Sequence, residues 1–401
     1  MLDYPKPTKI ASLAKLRSTW NDSPDAEKTK AVGIDGQSGS NFARDLTRNL
    51  EVIRDKLLSG TFEFRPLRPI SIPKVNSPIP RIICVPTVSD RLIQRHILNY
   101  LVEDDKLSVK NNVSYGFIKN RGVKKAIKNA VKLRHENQWA FKSDISSFFD
   151  KIDRDKLISD LSRKLGKSSV IPILSKAIRC EISTSEKDIR KTIANAGIKE
   201  GLGLRQGMPL SPLLSNFVLR KFDQEFEKRR LKLLRYADDF IVFCNSKDEC
   251  FRAFDLAEET LTSLGHSIPS PGKSPKTVIC SPKEPVEFLG MEIAVKGCSG
   301  EYECIIPKSV FDEVDKKLNE FYDFKHVFLK YRSFSKTVLE INQKMDGFVN
   351  YYFFGKNFSS LKDCVSDKRA NALRHIMKCI FGPGIFENLD PIRRQFLEID
   401  F

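Results

Sequence analysis

The run Leu234-Arg235-Tyr236-Ala237-Asp238-Asp239-Phe240-Ile241-Val242-Phe243 limits what this chain can fold into more than any other segment. Apolar residues flank two adjacent carboxylates, a pattern that predicts a β-hairpin bent at Ala-Asp-Asp. Neighbouring carboxylates repel, and a hard divalent ion such as Mg2+ relieves this by taking oxygen ligands and neutralising both charges. Taken alone, Asp-Asp also reads as a plain polar turn. A third acid in a matching context favours the ion. In Trp139-Ala140-Phe141-Lys142-Ser143-Asp144-Ile145-Ser146-Ser147-Phe148-Phe149 a strand delivers Asp144 at its end and turns into a helix. Two-metal phosphoryl transfer needs carboxylates from separate elements converging on ions ~4 Å apart, one activating the attacking oxygen and one the leaving group. In that scheme Asp144 and Asp238 bridge the ions, Asp239 completes the shell, and Ile145 is counted with the metal ligands.

Further blocks follow in order. Arg68-Pro69-Ile70-Ser71-Ile72-Pro73-Lys74 and Arg81-Ile82-Ile83 precede Ser114-Tyr115-Gly116-Phe117 and Asn120-Arg121-Gly122. Gly203-Leu204-Arg205-Gln206-Gly207-Met208-Pro209-Leu210-Ser211-Pro212 comes before the acidic hairpin; Leu264-Gly265, Lys276-Thr277 and Phe288-Leu289-Gly290 come after it. With the two acidic blocks, this series resembles the motifs of reverse transcriptases over roughly residues 65 to 290. Ile118 and Asn120 depart from the Gly-Phe-Arg-Pro-Gly block of group II intron enzymes. Val32-Gly33-Ile34-Asp35-Gly36 resembles the block those enzymes carry before the fingers, and Asp346-Gly347-Phe348-Val349-Asn350-Tyr351-Tyr352 resembles a thumb segment.

The resemblance implies an α+β right-hand polymerase: an N-terminal extension (1–62), fingers (63–137), a palm with an antiparallel sheet (138–298) and a helical thumb (299–401). It implies catalytic Asp144, Asp238 and Asp239 and two Mg2+ ions, with Mn2+ as a substitute. Lys74, Arg81, Phe149, Gln206, Gly207 and Lys276 would bind the nucleotide, and Phe288, Leu289 and Gly290 would form the primer grip. Lys74 and Arg81 suit phosphate oxygens, Arg bidentately, although plain surface charge is the other reading. Phe149, five residues after Asp144, would collide with a ribose 2′-hydroxyl and favour dNTPs; a core Phe is the alternative. Gly207 would let backbone approach the nucleotide closely. Asp90, Asp150, Asp153 and Asp155 read as helix-start and surface acids.

Charge agrees with a polyanionic partner: 68 basic residues against 51 acidic leave a formal +17, which favours binding through phosphates and counterion release. Lys124, Lys125, Lys128, Lys132 and Arg134 fall at helical spacing, as a phosphate track or as a solvated face. Lys228, Arg229, Arg230 and Lys232 pose the same choice. No 18-residue apolar run predicts a membrane span, and Met1 to Trp20 lacks an apolar signal core. Nine cysteines without a C-x-x-C pair read as reduced core residues of a cytosolic protein. The five histidines are scattered, which argues against zinc.

Punctuation predicts helices after Pro7 and over 41–58, strands near 68–73 and 80–85, and a helix over 89–102. Beyond these come a strand over 138–144, helices through 154–180 and over 211–230, a hairpin over 232–244 and a helix over 248–264. Strands over 276–281 and 286–294 lead to helices from Pro307 onward. The expected partners are an RNA template, a DNA product and dNTPs, with no membrane; a homo-oligomer or partner protein is compatible. Asn195-Ala196 lacks the His of the retron signature, no Val-Thr-Gly is found, and Gln206 and Pro212 are intact, unlike diversity-generating enzymes. The chain ends about fifty residues after Tyr352, short of intron-type DNA-binding and nuclease modules. By elimination it resembles stand-alone bacterial enzymes tied to antiphage defence and a dedicated noncoding RNA. A group II intron or retron role, a non-catalytic RNA scaffold, an RNA-dependent RNA polymerase and untemplated or repetitive synthesis are the rivals.

Overall fold

The computed structural model describes residues 10–25, 31–74, 77–184, 187–297, 300–386, 389–390 and 392. The chain divides into two compact units, Met1–Gly122 with Phe141–Ile279, and Val123–Ala140 with Cys280–Phe401. The fold is α+β, as expected.

The first unit begins with helices α1 (Leu13–Asn21), α2 (Gly39–Arg44) and α3 (Leu46–Leu58), followed by an antiparallel pair, β1 (Arg68–Lys74) and β2 (Ser77–Val85). The side chain of Lys74 lies outside the described set. Helix α4 (Val88–Glu103) opens on Thr87, whose hydroxyl accepts from the Asp90 amide and satisfies one of the helix's first N–H groups. The second unit contributes α5 (Val123–Glu136), and β3 (Trp139–Asp144) then runs back into the first. There follow α6 (Arg154–Leu165), α7 (Ile171–Ile178), α8 (Lys187–Asn195), α9 (Ser211–Lys228), the hairpin β4 (Lys232–Tyr236) and β5 (Asp239–Cys244), α10 (Lys247–Ser263) and β6 (Val278–Cys280).

The sheet order is β4-β5-β3-β6, so the two acid-bearing elements are hydrogen-bonded neighbours. Five consecutive residues of β5, Phe240 to Cys244, are buried; a strand covered on both faces reads as a continuous apolar run rather than an alternating one. Aromatic side chains from α9 and α10 cover one of these faces, where Phe240 and its neighbour Phe141 of β3 meet at 5.7 Å. Phe222 packs edge-on to Phe240 at 5.2 Å, and Phe254 to Phe141 at 5.9 Å, an arrangement worth more than area burial alone.

The second unit joins α5 to a three-stranded antiparallel sheet, β7 (Val286–Phe288), β8 (Met291–Val295) and β9 (Tyr302–Ile305). Four further helices follow: α11 (Lys308–Leu318), α12 (Phe324–Tyr331), α13 (Phe334–Tyr352) and α14 (Phe358–Phe381). The strand expected over 286–294 is in fact two strands. Leu289 and Gly290 both take positive φ, 51° and 68°, and turn the chain back between them. Strand β9 had no sequence forecast.

Two acids expected on the surface are placed elsewhere. Asp90 does stand at a helix start, but it is buried and accepts from the Arg65 amide. Asp150 is half-buried. Asp153 caps α6, and exposed Asp155 pairs with Arg179.

Candidate active site

The acidic bend is a two-residue turn: Tyr236 pairs with Asp239, leaving Ala237 and Asp238 at the tip. Ala237 takes φ 56°, a left-handed conformation that few residues with a side chain adopt. The end of β3 is tied to this tip, because the Ile145 amide donates to the Asp238 carbonyl at 3.1 Å. One hydrogen bond therefore fixes the two acid-bearing backbones against each other.

Asp144 and Asp238 line one polar cavity of about 320 Å³, with Arg81, Ile145, Phe149, Gln206 and Lys276 among its other walls. These residues come from five separated stretches of sequence, all within the first unit. Burial pushes the Asp238 carboxyl up, and the charge of Asp144 adds to that; Lys276 and Arg81 oppose. The Lys276 ammonium donates to Asp144 Oδ1 at 2.7 Å. Its neighbour Thr277 is buried and bonded to Ser143 of β3 at 2.7 Å, which anchors this segment beside the acids.

The donor set suits a hard divalent ion. It consists of two carboxylates from different elements, Asp144 at the end of β3 and Asp238 in the hairpin turn, the latter raised by burial and by Asp144, in a polar cavity where a lysine already pairs with Asp144. Asp239 is half-buried at the start of β5 and is not part of the cavity wall. Among the described residues, no three His, Cys, Asp or Glu side chains form a cluster able to hold a metal ion.

The Gln206 block is fastened on two sides. The Cys84 amide of β2 donates to the Gln206 carbonyl at 2.7 Å. Gly207 has φ 104°, and a Cβ there would sit 2.5 Å from the Cys84 carbonyl. The close approach that requires glycine is thus to strand β2, and Gly207 lies outside the cavity wall. On the other side the Gly203 and Leu204 amides donate to the Ile152 and Phe149 carbonyls at 2.8 and 2.7 Å, holding the short 3-10 turn Phe149–Lys151 that carries the aromatic gate candidate. Phe149 is half-buried and lines the cavity.

Sequence reasoning missed the polar support behind this wall. Buried Arg205 donates to Glu181 at 2.7 Å, and buried Arg154 donates to the other oxygen of Glu181 at 2.5 Å. Burial alone would raise the Glu181 carboxyl, but the two guanidiniums and the Gly201 amide hold it below the ordinary range. Asp150, also in the cavity wall, is pushed up by burial against the pull of Arg205. Arg205 sits beside Gln206 in sequence, so the block itself carried that signal; Glu181 had none.

Within the second unit, the expected primer-grip residues meet the Tyr-Tyr segment. The Tyr351 hydroxyl donates to the Leu289 carbonyl at 2.9 Å, and a Cβ on Gly290 would lie 3.2 Å from the Tyr352 hydroxyl. On α5 of the same unit, Lys124, Lys125, Lys128 and Lys132 are exposed, whereas Arg134 is buried and donates to the Ser281 and Glu284 carbonyls. The basic stretch is therefore an exposed lysine face with one structural arginine.

The family model described as "Reverse transcriptase (RNA-dependent DNA polymerase)" matches residues 72–293, more than half of the chain. The chain belongs to this family. Among curated members, Protein YkfC of Escherichia coli (strain K12) is 32% identical over 205 residues, covering 50% of this chain and 51% of YkfC. The chain thus spans about half the length of that relative. Group II intron-encoded protein LtrA of Lactococcus lactis subsp. cremoris is 24% identical over 416 aligned residues, covering 82% of this chain and 67% of LtrA. Retron Ec73 reverse transcriptase of Escherichia coli is 28% identical over 46% of this chain and 56% of its own. Of solved structures, a telomerase from Candida albicans in complex with a fragment of telomeric RNA aligns with TM-score 0.44 at 11% identity, over 84% of this chain and 64% of that one. For a group II-like reverse transcriptase the matched region contains every cavity residue named above. Among the described residues, no helix is long and apolar enough to cross a membrane.

Proposed function

We propose that this chain is an RNA-directed DNA polymerase that extends a 3′ or protein hydroxyl with dNTPs, using Asp144 and Asp238 as its reactive carboxylates. The observation that carries this reading is the convergence of Arg81, Asp144, Phe149, Gln206, Asp238 and Lys276 on one cavity of a reverse-transcriptase-family chain. Two Mg2+ ions, or Mn2+ in their place, held by these acids and the Ile145 backbone would supply activation of the attacking hydroxyl and neutralisation of the leaving pyrophosphate. The chain's own part is positioning and charge stabilisation. Arg81, with Lys74, would hold the triphosphate; Lys276, now on Asp144, would turn to the same phosphates. Phe149 would exclude a 2′-hydroxyl, and Gln206 would meet the nucleotide beside it. Asp239, outside the cavity wall, would act from the flank of the bend. The template would be a dedicated noncoding RNA and the setting antiphage defence in the cytoplasm, a reading that rests on the departures from retron and diversity-generating signatures.

The test is synthesis by the protein purified with its bound RNA and supplied with Mg2+ and labelled dNTPs or rNTPs. Asp238→Ala/Asp239→Ala serves as control, and both RNA and product are sequenced. A dNTP product complementary to one bound RNA and absent from the control supports the proposal. An rNTP product would make it an RNA polymerase. Bound RNA without control-sensitive synthesis would leave a scaffold.

A further inference from the structure

Beneath the Ala237–Asp238 tip lies a buried charged network that the chemistry above does not use. The Arg235 side chain is fully buried. Its Nε and Nη2 donate to the two carboxylate oxygens of Asp223 at 2.6 and 2.5 Å. Its Nη1 donates both to Asn216 Oδ1 at 3.0 Å and to the main-chain carbonyl of Ala237 at 2.8 Å. Asp223 also accepts from Asn111 at 2.7 Å, and Asn216 donates to the Gly116 carbonyl at 2.9 Å. The Arg235 main chain is held as well, its amide donating to Val113 and its carbonyl accepting from Tyr115, each at 2.8 Å.

Stability is a poor reason for such a network. A buried ion pair is often matched or exceeded by apolar side chains of the same volume. Its electrostatic effect is also small, because Asp223 neutralises the guanidinium within contact distance. What an apolar replacement could not supply is the bond to Ala237. That carbonyl belongs to the residue immediately before Asp238, and Ala237 sits in a backbone region that persists only where the surroundings over-determine it. The fork of a guanidinium can grip a carboxylate with two nitrogens and still offer the third to the bend; an ammonium has no such geometry.

We propose that Arg235 is a positioning residue: anchored on Asp223 and Asn216, it clamps the Ala237 carbonyl and so sets the direction in which Asp238 faces Asp144. The proposal rests on the polymerase reading above for its consequence, but not for the clamp itself.

The test compares full-length wild type with Arg235→Lys, which keeps the charge and loses the fork, and with Asn216→Ala, which removes one anchor and leaves Asp223 paired. Amide hydrogen exchange over residues 232–244, Mn2+ binding by electron paramagnetic resonance, and kcat and KM for dNTP are measured on each, with melting as reference. Loss of the clamp is expected to raise exchange at the bend at least tenfold while other segments stay within about twofold. It should also weaken Mn2+ binding about tenfold and lower kcat about 10- to 100-fold, with KM within about twofold. Asn216→Ala should move the same quantities the same way by smaller factors. Unchanged bend exchange in both variants, or exchange rising equally in every segment, would overturn the proposal. Should Arg235→Lys fail to fold, Asn216→Ala decides by the same criteria. A wild type that makes no product but whose bend loses protection in the variants would sink the polymerase reading and leave the clamp standing.

Discussion

Asp90 shows how far a single side chain can depart from what its neighbours in sequence suggest. It occupies the first turn of α4, where a carboxylate is ordinarily favoured by the helix dipole, yet it is only 2% exposed. Burial pushes it up to about 6 from 3.8, against the opposing hydrogen bonds from Thr87 and the Arg65 amide. The folded state therefore binds a proton more tightly than the unfolded chain does. The resulting stabilisation is full below about 3.8 and is lost as pH rises through about 6. Asp90→Asn removes this titration while keeping the shape. Relative to that variant, wild type should gain roughly 2 kcal/mol in unfolding free energy between pH 7.5 and pH 4.5. Urea unfolding of both proteins at the two pH values measures the difference, and a gap that does not move with pH would show that Asp90 is ionised throughout.

At the scale of elements, the hairpin depends on what presses against it from outside. The loop before α5 passes so close to the bend that a Cβ on Gly116 would lie 2.6 Å from the Ala237 nitrogen and 3.2 Å from the Tyr236 carbonyl carbon. Neither contact involves a flexible side-chain end, so Gly116→Ala must shift main chain at the bend or at the loop. Activity is expected to fall at least tenfold with a drop of a few degrees in melting temperature, since a misplaced reacting group costs far more rate than stability. Primer extension and a thermal scan on the same preparation check it. The hairpin, its acids and the strand carrying Asp144 were legible because an apolar run interrupted by adjacent acids admits few other folds. The break at Leu289-Gly290 was not, since the apolar pattern continues across it and only the backbone turns. Arg235 and Asp223 were equally hidden. Charged side chains read as exposed until a partner is found, and their partners lie on other elements. Gly207 was legible as a close approach, but sequence could not say that the approaching group is the Cys84 carbonyl.

For the whole molecule the question is where the surplus of positive charge resides. Cys280–Phe401 carries as many acidic as basic residues, so the formal +17 belongs to the rest of the chain. Within the second unit α5 carries five basic residues against one acidic, Glu136, while Cys280–Phe401 balances as a whole, and its exposed Lys124, Lys128 and Lys132 follow one another at four-residue steps along one stripe. Isolated surface lysines are scattered by solvation needs alone; three exposed lysines in line, with an acid only at the end where Glu136 pairs with Lys132, are what a phosphate backbone would select. Each lysine that neutralises a phosphate contributes about 0.7 to 0.9 to the slope of log K against log salt. Changing all three to alanine should therefore lower the slope for a primer–template duplex by about 2 to 3 and weaken binding at low salt. The same number of changes at Lys308, Lys316 and Lys362, within the balanced stretch, should leave the slope within about 0.5 of wild type. Fluorescence-anisotropy titrations between 50 and 300 mM salt decide it. Equal slopes for the two triple variants would mean that α5 is a solvated face and that the nucleic acid is held by the first unit alone.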